Sequence, residues 1–115
     1  MAIAELYTGT EAVSTTEWSL TTDTSGPDAD TTDGIFQAFI DLNALAAGDV
    51  YELKVYEKAR SIDTQRLAYY AQFANAQATP IYVTPSLILM HGWDFTLKKL
   101  AGTDRTITWS IRQVS

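Results

Sequence analysis

Trp93-Asp94-Phe95-Thr96-Leu97-Lys98 and Thr106-Ile107-Thr108-Trp109-Ser110-Ile111-Arg112 decide the fold class of this chain. In both stretches apolar and polar residues alternate without a break. Successive side chains of a strand point to opposite faces, so this pattern belongs to a strand with one face buried. Between the two lies Ala101-Gly102-Thr103-Asp104, a turn composition, and the pair reads as a hairpin. Working back along the chain, Tyr51, Leu53 and Val55 alternate with Glu52, Lys54 and Tyr56. Leu67, Tyr69, Ala71 and Phe73 do the same with Arg66, Ala68, Tyr70 and Gln72. The link Ser61-Ile62-Asp63-Thr64 is short enough to join these two as a hairpin.

The remaining strands are shorter. Ile81-Tyr82-Val83-Thr84 and Leu87-Ile88-Leu89-Met90 stand beside Pro80 and Pro85. Proline cannot donate to a ladder, which puts these runs at a sheet edge or a bend. Ile3 to Tyr7 and Glu17 to Thr22 also read as strands. Ile35 to Leu42 alternates through Phe36, Ala38, Ile40 and Leu42, although Phe36, Phe39 and Ile40 also fit a helical stripe. Arg66 to Ala78 is similarly double-natured through Leu67, Tyr70, Ala71 and Ala74. Both are read as strands, and Asn43 to Ala47 as one helical turn stopped by Gly48. Sixteen threonines favour strand over helix. The sum is a single all-β domain over 1–115, with about eight short strands in an antiparallel β-sandwich or jelly-roll-like arrangement. Residues 1–18 form an N-terminal contact arm or an edge strand. Thirteen aromatic residues supply most of the core.

Composition sets exclusions. The chain has 115 residues, no cysteine and one histidine, His91. Thiol chemistry, disulfides and paired-imidazole sites are therefore excluded. Net charge is −6, and the first 53 residues hold ten acids and no base. Binding a polyanion needs clustered Lys and Arg, so no nucleic-acid partner is expected. No stretch approaches 18 apolar residues, and the start Met-Ala-Ile-Ala-Glu lacks the basic end of a signal peptide. No membrane association is expected. The acidic first half and the more basic second half either mix on one surface or orient the molecule on a partner.

Several constellations bear on chemistry. Asp28, Asp30 and Asp33 before Gly34 resemble part of a calcium loop. Their spacing is 1, 3, 6 and Phe39 stands where a bidentate Glu is needed, so no metal or other cofactor is expected. The alternative is a polar loop whose Asp, Ser and Gly residues make turns, ordered by a neighbouring chain. His91 with Ser86 or Ser110 lacks the Gly-x-Ser-x-Gly elbow that aims a nucleophile. Glu52 and Glu57 sit at an odd spacing, on opposite faces of a strand. No catalytic residue is assigned. Trp93 and Trp109 fall on apolar faces and read as core. Trp18, between Glu17 and Ser19, reads as a contact residue. Tyr56 and Tyr70, on the polar faces of adjacent strands, are placed to pair across the hairpin or touch a subunit. Ile3, Leu6, Tyr7 and Trp18 are apolar, early in the chain and without an evident hairpin partner. An unpaired strand is costly, so these four are the candidate partner contacts.

Three features carry a resemblance: the short start Met-Ala-Ile-Ala-Glu-Leu-Tyr-Thr-Gly-Thr, the strand-turn-strand run Phe36 to Tyr56 through Leu45-Ala-Ala-Gly-Asp49, and the closing Trp93 to Val114 hairpin. Together they resemble the small, cysteine-free, Thr- and Ala-rich β proteins of tailed-bacteriophage virions, the head decoration (cement) type in particular. The resemblance implies a non-enzymatic structural role on the capsid surface, with the major capsid protein as partner and a homotrimer as the assembly. The protein would be made in the host bacterial cytoplasm. The same style is shared by tail components. From a different class, a carbohydrate-binding or receptor-binding β-sandwich would show an exposed planar row of aromatics.

Overall fold

The computed structural model describes residues 2–114, and every regular element in them is a β-strand. The ten strands are β1 (Ile3–Val13), β2 (Trp18–Ser19), β3 (Thr24–Ser25), β4 (Gly34–Asp41) and β5 (Val50–Glu57), then β6 (Arg66–Ala74), β7 (Ile81–Val83), β8 (Leu87–Leu89), β9 (Asp94–Ala101) and β10 (Arg105–Val114). All pairings are antiparallel. The first sheet runs β1-β10-β4, with β7 and β8 lying one after the other along the far side of β4. The second runs β3-β2-β9-β5-β6. The two sheets pack as a sandwich. The stretch read as one strand from Glu17 to Thr22 is strand only at β2, and the count exceeds the expected eight in part through the two-residue β3, which lies beyond that stretch and pairs back onto β2.

The core lies between the sheets. Phe36, Ala38, Ile40, Ile107, Trp109 and Ile111 enter from the first, and Tyr51, Leu53, Val55, Phe95 and Leu97 from the second. Trp93 is fully buried at its centre, 4.3 Å from the Phe36 ring and edge-on to Phe95 at 5.7 Å. Its indole N–H donates to the Thr32 carbonyl at 2.7 Å, so burial leaves no donor unpaired. Trp109 donates to the Leu20 carbonyl at 2.9 Å. β1 lies close over this indole: a Cβ on Gly9 would sit 2.4 Å from the ring. Only glycine allows that approach.

The β5–β6 hairpin forms as the alternation predicts. Both double-natured segments are strands. The prolines also act as expected. The chain leaves β4 between β7 and β8, around Pro85, and Thr84 fills the gap in the ladder. Its hydroxyl accepts the Ala38 N–H at 3.0 Å, and its own N–H donates to the Ala38 carbonyl.

Three expectations are corrected. First, β9 and β10 do not form a hairpin: β9 belongs to the second sheet and β10 to the first. Ala101-Gly102-Thr103-Asp104 carries the chain from one sheet to the other. The buried Asp49 carboxylate holds this arch, accepting the Thr103 N–H at 2.9 Å, Arg105 Nε at 2.7 Å and the Ala46 N–H at 2.9 Å. Those donors hold its pKa down at about 2, the Thr103 amide foremost and the Arg105 guanidinium next. Tyr51 Oη adds an acceptor for the Arg105 N–H at 2.7 Å and donates to the Thr103 carbonyl at 2.8 Å. Gly102 packs onto Asp49 with φ +93°, a conformation and a closeness that suit glycine. Second, Asn43 to Ala47 forms two successive turns, closed by Leu45 N–H to Leu42 O and Asp49 N–H to Ala46 O, and no helix. Asp49 draws the second turn toward the arch. Third, β1 has a partner, the last strand of the chain, in a register from Ile3↔Val114 to Val13↔Arg105 with one bulge between Glu5 and Tyr7.

Candidate interaction face

Residues paired across an antiparallel sheet share a face. On the outer side of the first sheet the register aligns Ile3 of β1, Val114 of β10, Ile35 of β4 and Ile88 of β8. This is an apolar row four strands wide, about 14 Å from end to end. Ile3 is 70% exposed and Ile88 77%. Val83, Ile81 and Phe39 extend the apolar surface toward the other end of β4, where Phe39 pairs with Val83 and Asp41 with Ile81. A shallow cleft of about 190 Å³ opens among Ile3, Ile35, Gln37, Phe39, Ser86, Arg112 and Val114. The Arg112 guanidinium covers the Phe39 ring, its carbon 3.7 Å from the centroid. Glu5, Arg112 and Asp41 are the charged residues of this face; Thr8, Thr10, Ala12, Thr106, Thr108, Ser110 and Gln37 fill the other outward positions.

The outer side of the second sheet is polar and internally bonded. Glu17 Oε2 accepts both the Tyr56 and Thr96 hydroxyls at 2.5 Å. Tyr70 Oη donates to Glu52 Oε1 at 3.0 Å, and Lys54 Nζ lies 3.3 Å from Glu52 Oε2. Asp94 is fully buried, accepting the Thr21 hydroxyl and the Asp28 N–H, both at 2.8 Å. Burial pushes its pKa up, against the hydrogen bonds that pull it down. Burial, reinforced by Glu17, also raises the Tyr56 phenol, and the Glu52 carboxylate raises Tyr70. At the open side of the sandwich Tyr69 and Tyr82 share a 2.6 Å hydrogen bond, and burial lifts Tyr82 to about 12.

The four contact residues read from the sequence divide. Ile3 presents its side chain outward, in the apolar row. Leu6, Tyr7 and Trp18 pack against the core. Tyr7 also donates to the Asp30 carboxylate, and Trp18 Nε1 to Asp23 at 2.9 Å. Trp18 shares the core-facing row of Leu97 and Leu53. Ile35, Ile88, Val83 and Val114 were missed. The available signal was the apolar residue out of phase in each strand: Ile35 and Phe39 in β4, Ile88 between Leu87 and Leu89.

The other constellations separate. Asp28 accepts from Thr22 at 2.7 Å, Asp30 is taken by Tyr7 and the Thr32 N–H, and no group of three metal-ligating side chains forms among the described residues. The loop is ordered by its own chain, through Asp94, Trp93 and Gln65. Glu57 accepts the Met90 and His91 backbone N–H groups, so it acts as a clamp on that turn. Ser110 donates to Glu5 at 2.6 Å. A depression of about 650 Å³ lies under the β5–β6 turn among Glu57, Lys58, Ile62, Arg66 and Leu67, and Glu57 is the one member of the constellations above that lines it. Trp93 and Trp109 are buried; Tyr70, 44% exposed, is the most open aromatic among the described residues, and no planar aromatic row forms. The chain matches no protein-family model, no curated protein and no solved structure.

Proposed function

We propose that this chain is a non-enzymatic structural protein of a tailed-phage virion, a decoration protein that binds and stabilises the head shell. The observation that carries the reading is the uncovered apolar face of the first sheet. A domain of this size rarely leaves such a row open unless another surface covers it. The second sheet supports the same reading, since its polar groups are spent on one another. The chain then works by presenting a rigid surface, and burial across neighbouring capsid subunits is the mechanism. A protein that binds the assembled shell and not its parts stabilises it by mass action.

The test is protein composition of purified particles, followed by rebinding. The chain is expected in heads, at a fixed ratio to the major capsid protein. Added back to stripped heads, it should co-sediment with them and raise their disruption temperature. Recovery with tails alone would move it to a tail component. Absence from particles would end the virion reading.

A further inference from the structure

We infer that the outer face of the first sheet is covered by a second copy of this chain, packed sheet on sheet about a two-fold axis. Three observations lead there. The first is charge. The protein carries 14 acids and 8 bases, yet this face holds only Glu5, Asp41 and Arg112. Depletion of charge around apolar residues is the mark of an interface centre.

The second is size. Four strands about 4.8 Å apart and roughly nine residues long give a footprint of roughly 600 Å² before side-chain relief. That approaches the ~800 Å² per partner of a standard stable interface.

The third is register. A two-fold axis parallel to the strands, between β10 and β4, lays β1 over β8 of the partner and β10 over β4 of the partner. The apolar row then meets itself. Ile3 faces Ile88 of the partner subunit, and Val114 faces Ile35 of the partner subunit. One row on, Arg112 faces Gln37 of the partner subunit, and farther along Asp41 faces Thr108 of the partner subunit. No carboxylate is laid on a carboxylate. The face is thus self-complementary, as a closed two-fold interface requires. Three copies around a three-fold, the assembly that the resemblance implies, would instead set this face against a different one and lose the row-on-row match. The inference concerns the purified protein without any head; because the shell-binding reading claims the same face, a dimer that stayed closed on heads would leave that reading without the observation that carries it.

Light scattering and sedimentation of the purified chain over a concentration series test it. The intact protein should have the mass of a dimer. Ile88→Lys should shift it to monomer, weakening association by at least about a hundredfold, because each substitution enters a two-fold interface twice. Ile3→Lys, at the other end of the row, should do the same. Circular dichroism should show both variants folded, since both side chains are mostly in solvent. Ile62→Lys, 80% exposed at the β5–β6 turn, should leave the dimer intact. A monomer at near-millimolar concentration, a trimer, or an Ile88→Lys variant that still dimerises normally would each overturn the inference. Dissociation by Ile62→Lys would do so too, by moving the contact to the hairpin. Head binding by a monomeric intact protein would leave the virion reading standing and refute the pairing.

Discussion

The two sheets share one core and treat their outer faces in opposite ways. The first sheet leaves Ile3, Ile35 and Ile88 in solvent, with few charges near them. The second buries polar groups on its outer face, with Ser19 at 0% and Thr96 at 1% exposure, each with a hydrogen-bond partner. Exposure and polarity are thus inverted between them. The lesson concerns where stability resides. A side chain already in water contributes little to the fold, however apolar it is. A buried hydroxyl or carboxylate contributes through its partner, and loses heavily when that partner is removed.

Glu17→Ala should give the largest effect of the comparison. It leaves the buried Thr96 hydroxyl without an acceptor and costs Tyr56 its own, at about 1–3 kcal/mol in chemical unfolding. Glu17→Gln, which keeps an acceptor, should recover a large part. A Glu17→Ala variant as stable as the parent would show that the polar face is decoration on the fold and not part of it.

Next comes the acid limb of stability. The folded pKa of Asp49 lies at about 2, below its unfolded value of about 3.9. A depressed carboxylate stabilises the fold fully above the unfolded pKa, and that contribution is lost as pH falls through the folded one. Stability should therefore fall between about pH 4 and pH 2. Asp49→Asn should flatten this limb and lower stability at neutral pH, where Arg105 loses its charge partner. Asp94 works in the opposite sense, since its raised folded pKa makes protonation favourable. Asp94→Asn should consequently leave the steep fall in place. An unchanged acid limb in Asp49→Asn would remove the arch clamp from the account.

The smallest effect should come from the apolar face. Ile88→Thr should change unfolding free energy by no more than about 0.5 kcal/mol, a surface-sized effect. A loss above about 2 kcal/mol in dilute protein would mean that the side chain is covered within the monomer. It would erase the contrast between the faces.

The fold class was legible because alternation is a direct imprint of one buried face. Trp93 to Lys98 and Thr106 to Arg112 each show it without interruption. Pairing was less legible. Alternation says which residues face inward and nothing about which strand lies alongside. A four-residue Gly-Asp link suits a hairpin and an arch equally, and the choice was made by Asp49, over fifty residues away from Thr103. The interaction face was half legible for a related reason. Ile35 and Phe39 blur the alternation of β4 and imitate a helical stripe. They do so because the outer face of β4 carries two apolar residues, Ile35 and Phe39, interleaved with Gln37 and Asp41. Ile3 was singled out because no hairpin neighbour was visible for it. Its partner, Val114, stands at the opposite end of the chain, beyond the reach of any local pattern.

That last pairing sets a schedule. Of the ten strands, β1 leaves the ribosome before the others, and β10, its one sheet neighbour among the described residues, leaves after them. At ordinary elongation rates roughly 5–20 s separate the completion of β1 from the appearance of β10. Topology of such high contact order also folds slowly once the chain is free. Through that interval an eleven-residue strand waits with both ladders open, with neither lysine nor proline in it. Glu5 and Glu11 are its only charges, and charge on an open strand disfavours premature pairing with other chains.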